Sequence, residues 1–101
     1  MTNELQTQIE AAAFRRLLQH LQTHTEVQNI DLMLVGDFCR NCLAKWYAAE
    51  AAALGEQVDY EAARDHVYGM PYSEWKQRYQ QDATPEQLAA YAKKQEGKHE
   101  H

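Results

Sequence analysis

Between Asn29 and Leu54, apolar and small residues fall on an unbroken alternation of three and four: Leu32, Val35, Cys39, Cys42, Trp46, Ala49 and Ala53. A strand would place them at every second position, so this spacing is the seam of a helix packed along its length. Leu34, Phe38, Leu43, Tyr47, Ala51 and Leu54 fall largely outside that seam, which makes the helix apolar on more than one side. Such a helix is either central in its own fold or shared with another subunit. Asn29 or Asp31 can cap its start, and Gly55 supplies the left-handed residue that stops it.

Shorter amphipathic segments surround this long element. Ile9, Ala13, Phe14, Leu17, Leu18 and Leu21 recur at helical steps and predict a first helix over Leu5 to His24. Asp59 caps a third helix, Tyr60 to Tyr68, which Gly69 ends; Pro71 opens a fourth, Pro71 to Gln80. Thr84-Pro85-Glu86-Gln87 combines an N-cap, a proline in the first turn and a capping-box glutamine, so a fifth runs from Pro85 to about Gln95. β-branched residues are scarce and scattered, which argues against a sheet. The expected architecture is all-α: a compact orthogonal or bundle-like array of about five helices around a central long helix. The 101 residues fit a single helical domain, 1–101, with 1–4 and 97–101 frayed.

Charge narrows the partners. The net charge of −5 comes from mixed acids and bases, with no basic stripe to displace the counterions of a nucleic acid or to meet an anionic membrane. The expectation is therefore no nucleic acid and no membrane. No apolar run approaches the roughly 20 residues that span a bilayer. The start of the chain lacks the apolar core of a signal peptide, and two cysteines three apart cannot staple distant parts of a fold. A cytoplasmic setting is expected.

Cys39-Arg40-Asn41-Cys42 is the sharpest pointer to chemistry, and it supports three readings. Both cysteines, at seam positions, can be small buried hydrophobes. They can be a redox pair if the helix begins only at Asp37, because a cysteine in a first turn has its thiolate stabilised; a helix starting near Ile30 removes that help. They can also be metal ligands, zinc being the ion such a set takes, together with His20 and His24 or with His66. In a simple hairpin of the first two helices Cys39 lies level with Arg16 and Cys42 with Ala13. His20 and His24 then fall on the order of 6 to 16 Å out of register, against zinc bonds of about 2 Å.

Arg15, Arg16, Asp31, Arg40 and Asn41 can converge on a polar pocket for an anion or carboxylate, or they can serve as caps and ion pairs, the commoner use of such residues. Tyr60, Tyr68, Tyr72, Trp75 and Tyr79, interleaved with Lys76 and Arg78, have the composition of a protein interface or a base-stacking platform, and equally that of packed amphipathic helices. Asp65 and His66 are adjacent, but neighbours on a helix diverge by about 100° and make a weak acid–base couple. Phosphate-cradling glycine loops, nucleophile elbows and zinc-protease signatures are absent, so no catalytic residue is assigned.

Phe14-Arg15-Arg16-Leu17, Val27-Gln28-Asn29-Ile30-Asp31, Phe38-Cys39-Arg40-Asn41-Cys42-Leu43 with Trp46-Tyr47, and Val67-Tyr68-Gly69-Met70-Pro71-Tyr72 with Trp75 resemble a short bacterial family, domain of unknown function 1244. The resemblance runs from about Glu10 to Tyr79 and implies a helical, cytoplasmic bacterial protein, with no activity to carry over. The family pattern includes His20, Cys39, Arg40, Asn41 and Cys42. It usually has a small residue where Asp37 stands and requires no histidine at His24, which counts against a four-ligand zinc site. The leading expectation is a non-enzymatic module that forms a homodimer or binds another protein. The alternative is a metal- or small-ligand-binding protein using Cys39 and Cys42 with a histidine.

Overall fold

The structure is a computed structural model that describes residues 1–97. Its described residues form six helices and no strand: α1 Asn3–Thr23, α2 Asn29–Gly36, α3 Arg40–Ala53, α4 Tyr60–Tyr68, α5 Tyr72–Tyr79 and α6 Pro85–Glu96. The all-α class stands. No helix among the described residues is long and apolar enough to cross a membrane.

Local chemistry sets most of the boundaries. Thr2 Oγ1 accepts the Leu5 N–H at 3.1 Å, so α1 starts at Asn3, and Asn3 and Glu4, expected to be frayed, are helical. Asp59 Oδ1 accepts from Ala62 N at 2.7 Å and starts α4, which Gly69 ends in the left-handed conformation at φ 73°. Thr84 and Gln87 form the expected reciprocal box at α6: the Gln87 N–H donates to Thr84 Oγ1 and the Thr84 N–H to Gln87 Oε1. Pro71 is the N-cap of α5 rather than its first helical residue. Of the tail expected to fray at 97–101, Gly97 caps α6 and 98–101 lie outside the described residues.

The central long helix does not form. It is broken after Gly36, where Asp37 adopts the left-handed region at φ 62° and its N–H closes α2 on Met33 O; Cys39 then returns to extended backbone and begins α3. The break re-aims the apolar faces. Leu43 and Ala44 are the buried apolar residues of α3, with Tyr47 and Ala48 packed beside them, whereas the supposed seam residues Val35 and Trp46 are 88% and 55% exposed.

Leu18, Leu21, Leu43, Ala44, Ala63, Val67, Tyr68 and Trp75 make the core. Ala44 and Ala63, both fully covered, let α3 and α4 approach closely. The tyrosine-rich cluster of α4 and α5 turns inward: Trp75 lies edge-on to Tyr68 with centroids 4.9 Å apart and 5.8 Å from Tyr79. Its aromatics are packing rather than a stacking platform. α2 and α6 form a second layer with no fully buried residue of their own, joined by polar links. Lys94 Nζ donates to Leu34 O at 2.8 Å and pairs with Asp37 at 3.0 Å.

Candidate functional site

The break between α2 and α3 determines where the Cys39–Cys42 segment points. Because α3 begins at Arg40, that side chain is aimed at the end of α1, where it is 1% exposed. Its Nη1 donates to Val27 O at 2.8 Å and Asn29 Oδ1 at 3.1 Å; its Nη2 donates to His24 O at 3.0 Å and Leu21 O at 3.3 Å. The last carbonyls of a helix have no intrahelical donor and carry the negative end of its dipole. A cation set on them meets both needs, with the Trp75 ring 4.9 Å from the guanidinium carbon. Burial pulls the Arg40 guanidinium below its ordinary value.

Asn29 and Tyr68 extend this latch. Asn29 Oδ1 also faces the Arg40 N–H at 3.3 Å, and Asn29 Nδ2 donates to the Tyr68 hydroxyl at 3.0 Å. That hydroxyl donates in turn to Asn41 Oδ1 at 2.7 Å. Burial drives the Tyr68 phenol well above the ordinary tyrosine range. Gln28, also buried, ties the start of α2 to the end of α5 through Tyr79 O and the Gln81 N–H. The sequence marks Asn29 or Asp31 as the cap of this helix, whereas Gln28 is its N-cap, and it gives no sign of the distant partners that Gln28 and Tyr68 find. Their partners lie 51 to 53 and 27 to 39 residues away.

The polar pocket therefore does not assemble. Arg40 and Asn41 belong to the latch, while Asp31 accepts from the Gln28 N–H and from Gln87 Nε2. Arg15 and Arg16 stand exposed on α1. The histidines are likewise dispersed among other partners. The His20 and His24 rings lie tilted against each other with centroids 4.3 Å apart, and His24 Nδ1 lies 3.1 Å from Glu26 Oε1, an interaction that lowers the Glu26 carboxyl below its usual value. His66 lies against the Tyr47 ring at 4.7 Å, and its neighbour Asp65 accepts the Tyr72 N–H, so the pair forms no couple. Among the described residues no group of three or more His, Cys, Asp or Glu is placed to hold a metal ion. Cys39 is buried and Cys42 half-buried, both as free thiols.

An open apolar groove of about 550 Å³ lies between α1 and α3. Phe14, Leu43, Trp46, Tyr47, Leu54 and Val58 wall it, with Glu50 and Glu56 at its edge. Trp46 is 55% exposed and Leu54 83%, an unusual position for side chains of that size. Phe38 stacks over Trp46 with centroids 6.4 Å apart and holds the indole in place.

The latch and most of this groove fall within residues 27–93, which match the family model described as "Protein of unknown function (DUF1244)". The chain belongs to the DUF1244 family. No curated protein matches it. For this DUF1244 chain the matched region begins at Val27, so it contains Arg40, Asn29, Asn41 and Tyr68 but not the α1 carbonyls of Leu21 and His24 that Arg40 caps. The Phe38–Leu43 block that carries the family resemblance is thus an architectural joint. Its arginine fastens α3 onto the end of α1, and its asparagine fastens α3 to α4.

Proposed function

We propose that this DUF1244 protein is a non-enzymatic, cytoplasmic protein-association module that docks a protein partner in the groove between α1 and α3. The supporting observation is the half-exposed Trp46, held by Phe38 at the mouth of an apolar groove that ends at the exposed Leu54. Interfaces concentrate their binding energy in a few large aromatic anchors of this kind, ringed by polar residues; Glu50 and Glu56 supply such a rim. An acidic rim on a chain of net charge −5 also disfavours a nucleic-acid partner.

A second copy is the leading occupant, because the chain presents a complementary ridge as well as a groove. Leu5, Ile9 and Leu17 are exposed along α1, and that helix carries Glu4 and Glu10 in its first half and Arg15 and Arg16 in its second. Two such helices laid antiparallel set acid against base.

Replacing Trp46 by a photo-crosslinking phenylalanine, in cells and in purified protein, tests the proposal. Adducts between two copies, with light scattering giving twice the mass of the chain, support the homodimer. Adducts to another protein with a monomeric purified chain keep the module and remove the dimer. No protein adduct in either setting ends the proposal.

A further inference from the structure

The break between α2 and α3 puts two thiols in a setting that a continuous helix denies them. Cys39 is the N-cap of α3, in extended backbone at φ −141°, and Cys42 is the third residue of that helix. These are the two positions whose side chains turn toward each other in a capping box: the N-cap side chain folds over the first turn, and the third residue's side chain reaches back. With serine and glutamate the product is a pair of hydrogen bonds. With two cysteines it is a pair of sulfurs.

Helix geometry separates residues three apart by about 5 Å between Cα atoms, inside the roughly 4.4–6.8 Å that a disulfide spans. Between Cys39 and Cys42 in sequence lies the buried Arg40 cation, whose hydrogen bonds all run to carbonyl and amide oxygens. That cation and the positive end of the helix dipole lie at the end of α3 that carries both sulfurs.

We propose that Cys39 and Cys42 are a reversible dithiol–disulfide couple, with Cys42 the attacking thiolate and Cys39 the resolving thiol. Accessibility sets the order, since Cys42 is half-exposed and Cys39 is buried. The oxidant is a low-molecular-weight disulfide such as glutathione disulfide. The Cys42 thiolate bonds to one of its sulfurs, the sulfur–sulfur bond breaks, and one glutathione thiolate leaves. Cys39 then gives up its proton and attacks the Cys42 sulfur, expelling the second glutathione. Two protein thiols lose two electrons and two protons, and one small disulfide becomes two small thiols. A dithiol reductant reverses the sequence. Burial pushes the Cys39 thiol up, which keeps it protonated until an adduct on Cys42 offers it a target.

The test equilibrates the full chain in buffers of graded glutathione and glutathione disulfide, quenches with acid, alkylates under denaturing conditions and reads the intact mass. The expected result is one transition in which both thiols disappear together, leaving a monomeric product lighter by two hydrogens and carrying no glutathione. Cys39→Ser, a substitution that retains a good N-cap, should trap a stable glutathione adduct on Cys42; Cys42→Ser should acquire an adduct at least tenfold more slowly. Circular dichroism confirms that both variants remain helical. Two thiols still alkylatable after equilibration with glutathione disulfide alone overturn the proposal. So does a disulfide that joins two chains, a persistent adduct on the unmodified protein, or equal trapping rates in the two serine variants.

Discussion

A fully buried arginine with no carboxylate on it costs desolvation, and Arg40 offsets that cost by using its planar fork on four oxygens at once. Three of the four are main-chain carbonyls at and beyond the end of α1, of which the His24 carbonyl also accepts the Val27 N–H at 3.2 Å. Arg40→Met removes the guanidinium donors from all four oxygens and leaves the Leu21 and Val27 carbonyls without the partner they have here, so it should lower the unfolding free energy by about 3 kcal/mol, read from urea titration. Arg40→Lys keeps the charge but gathers its donors on a single nitrogen, so it should recover no more than about half of that loss. Tyr68→Phe removes the hydroxyl shared by Asn29 and Asn41 and should cost about 1 to 2 kcal/mol. An Arg40→Met protein as stable as the parent would show that water, not the guanidinium, satisfies the end of α1. The residue types in this latch were legible in the sequence. Arg40, Asn41 and Asp31 stood out as polar residues that either meet in a pocket or serve as caps and links, and the structure puts them to the second use. Their actual partners were not legible, because Tyr68 and Gln87 reach them across 27 and 56 residues of chain.

At the level of helices, the ends that rest on local chemistry were readable and the interruption that rests on long-range contacts was not. Thr84 with Gln87, Asp59, Gly55 and Gly69 each act within one turn of themselves, and each behaves as its residue type dictates. The three-and-four alternation from Leu32 to Ala53, by contrast, passes through Gly36-Asp37 without losing step, so periodicity alone carries no mark of the break. The long-range contacts made at the break are those of Lys94, which reaches from α6 to Leu34 O and Asp37, and of Arg40, which is directed toward α1. The two left-handed glycines separate two physical effects. Gly55, at φ 83°, has open space where a Cβ would go, so Gly55→Ala should cost only the backbone strain, about 1 kcal/mol. Gly69, at φ 73°, would place a Cβ 2.8 Å from the Gln22 carboxamide, which donates to Val67 O. Gly69→Ala therefore adds displacement of that hydrogen bond to the same strain and should cost about 2 kcal/mol or more. Thermal or urea unfolding of the two variants measures the difference, and equal losses would mean that Gln22 yields freely.

The whole molecule is built unevenly, and that unevenness should appear in its dynamics. Leu18, Leu21, Leu43, Ala44, Ala63, Val67, Tyr68 and Trp75 join α1, α3, α4 and α5 through buried apolar surface, whereas neither α2 nor α6 buries any residue fully. The outer pair is held by Lys94, the Asp31–Gln87 bond and the Gln28 links to Tyr79 and Gln81, whose polar partners water can replace. Opening α6 exposes little apolar surface, so its free-energy cost lies well below that of opening the core. Native-state hydrogen exchange across a denaturant series should resolve two classes of amide. Those of α3 and α4 around Ala44, Ala63 and Val67 should exchange only through global unfolding, with a steep dependence on denaturant. Those of α6, and with them α2, should exchange through a shallower, less costly opening. Lys94→Met should lower the protection of α2 and α6 while leaving the core class unchanged, because its two contacts run only between those helices and the residue that ends α2. If α6 amides instead share the slope and protection of Val67, the polar layer opens only with the core, and the six helices behave as one cooperative unit.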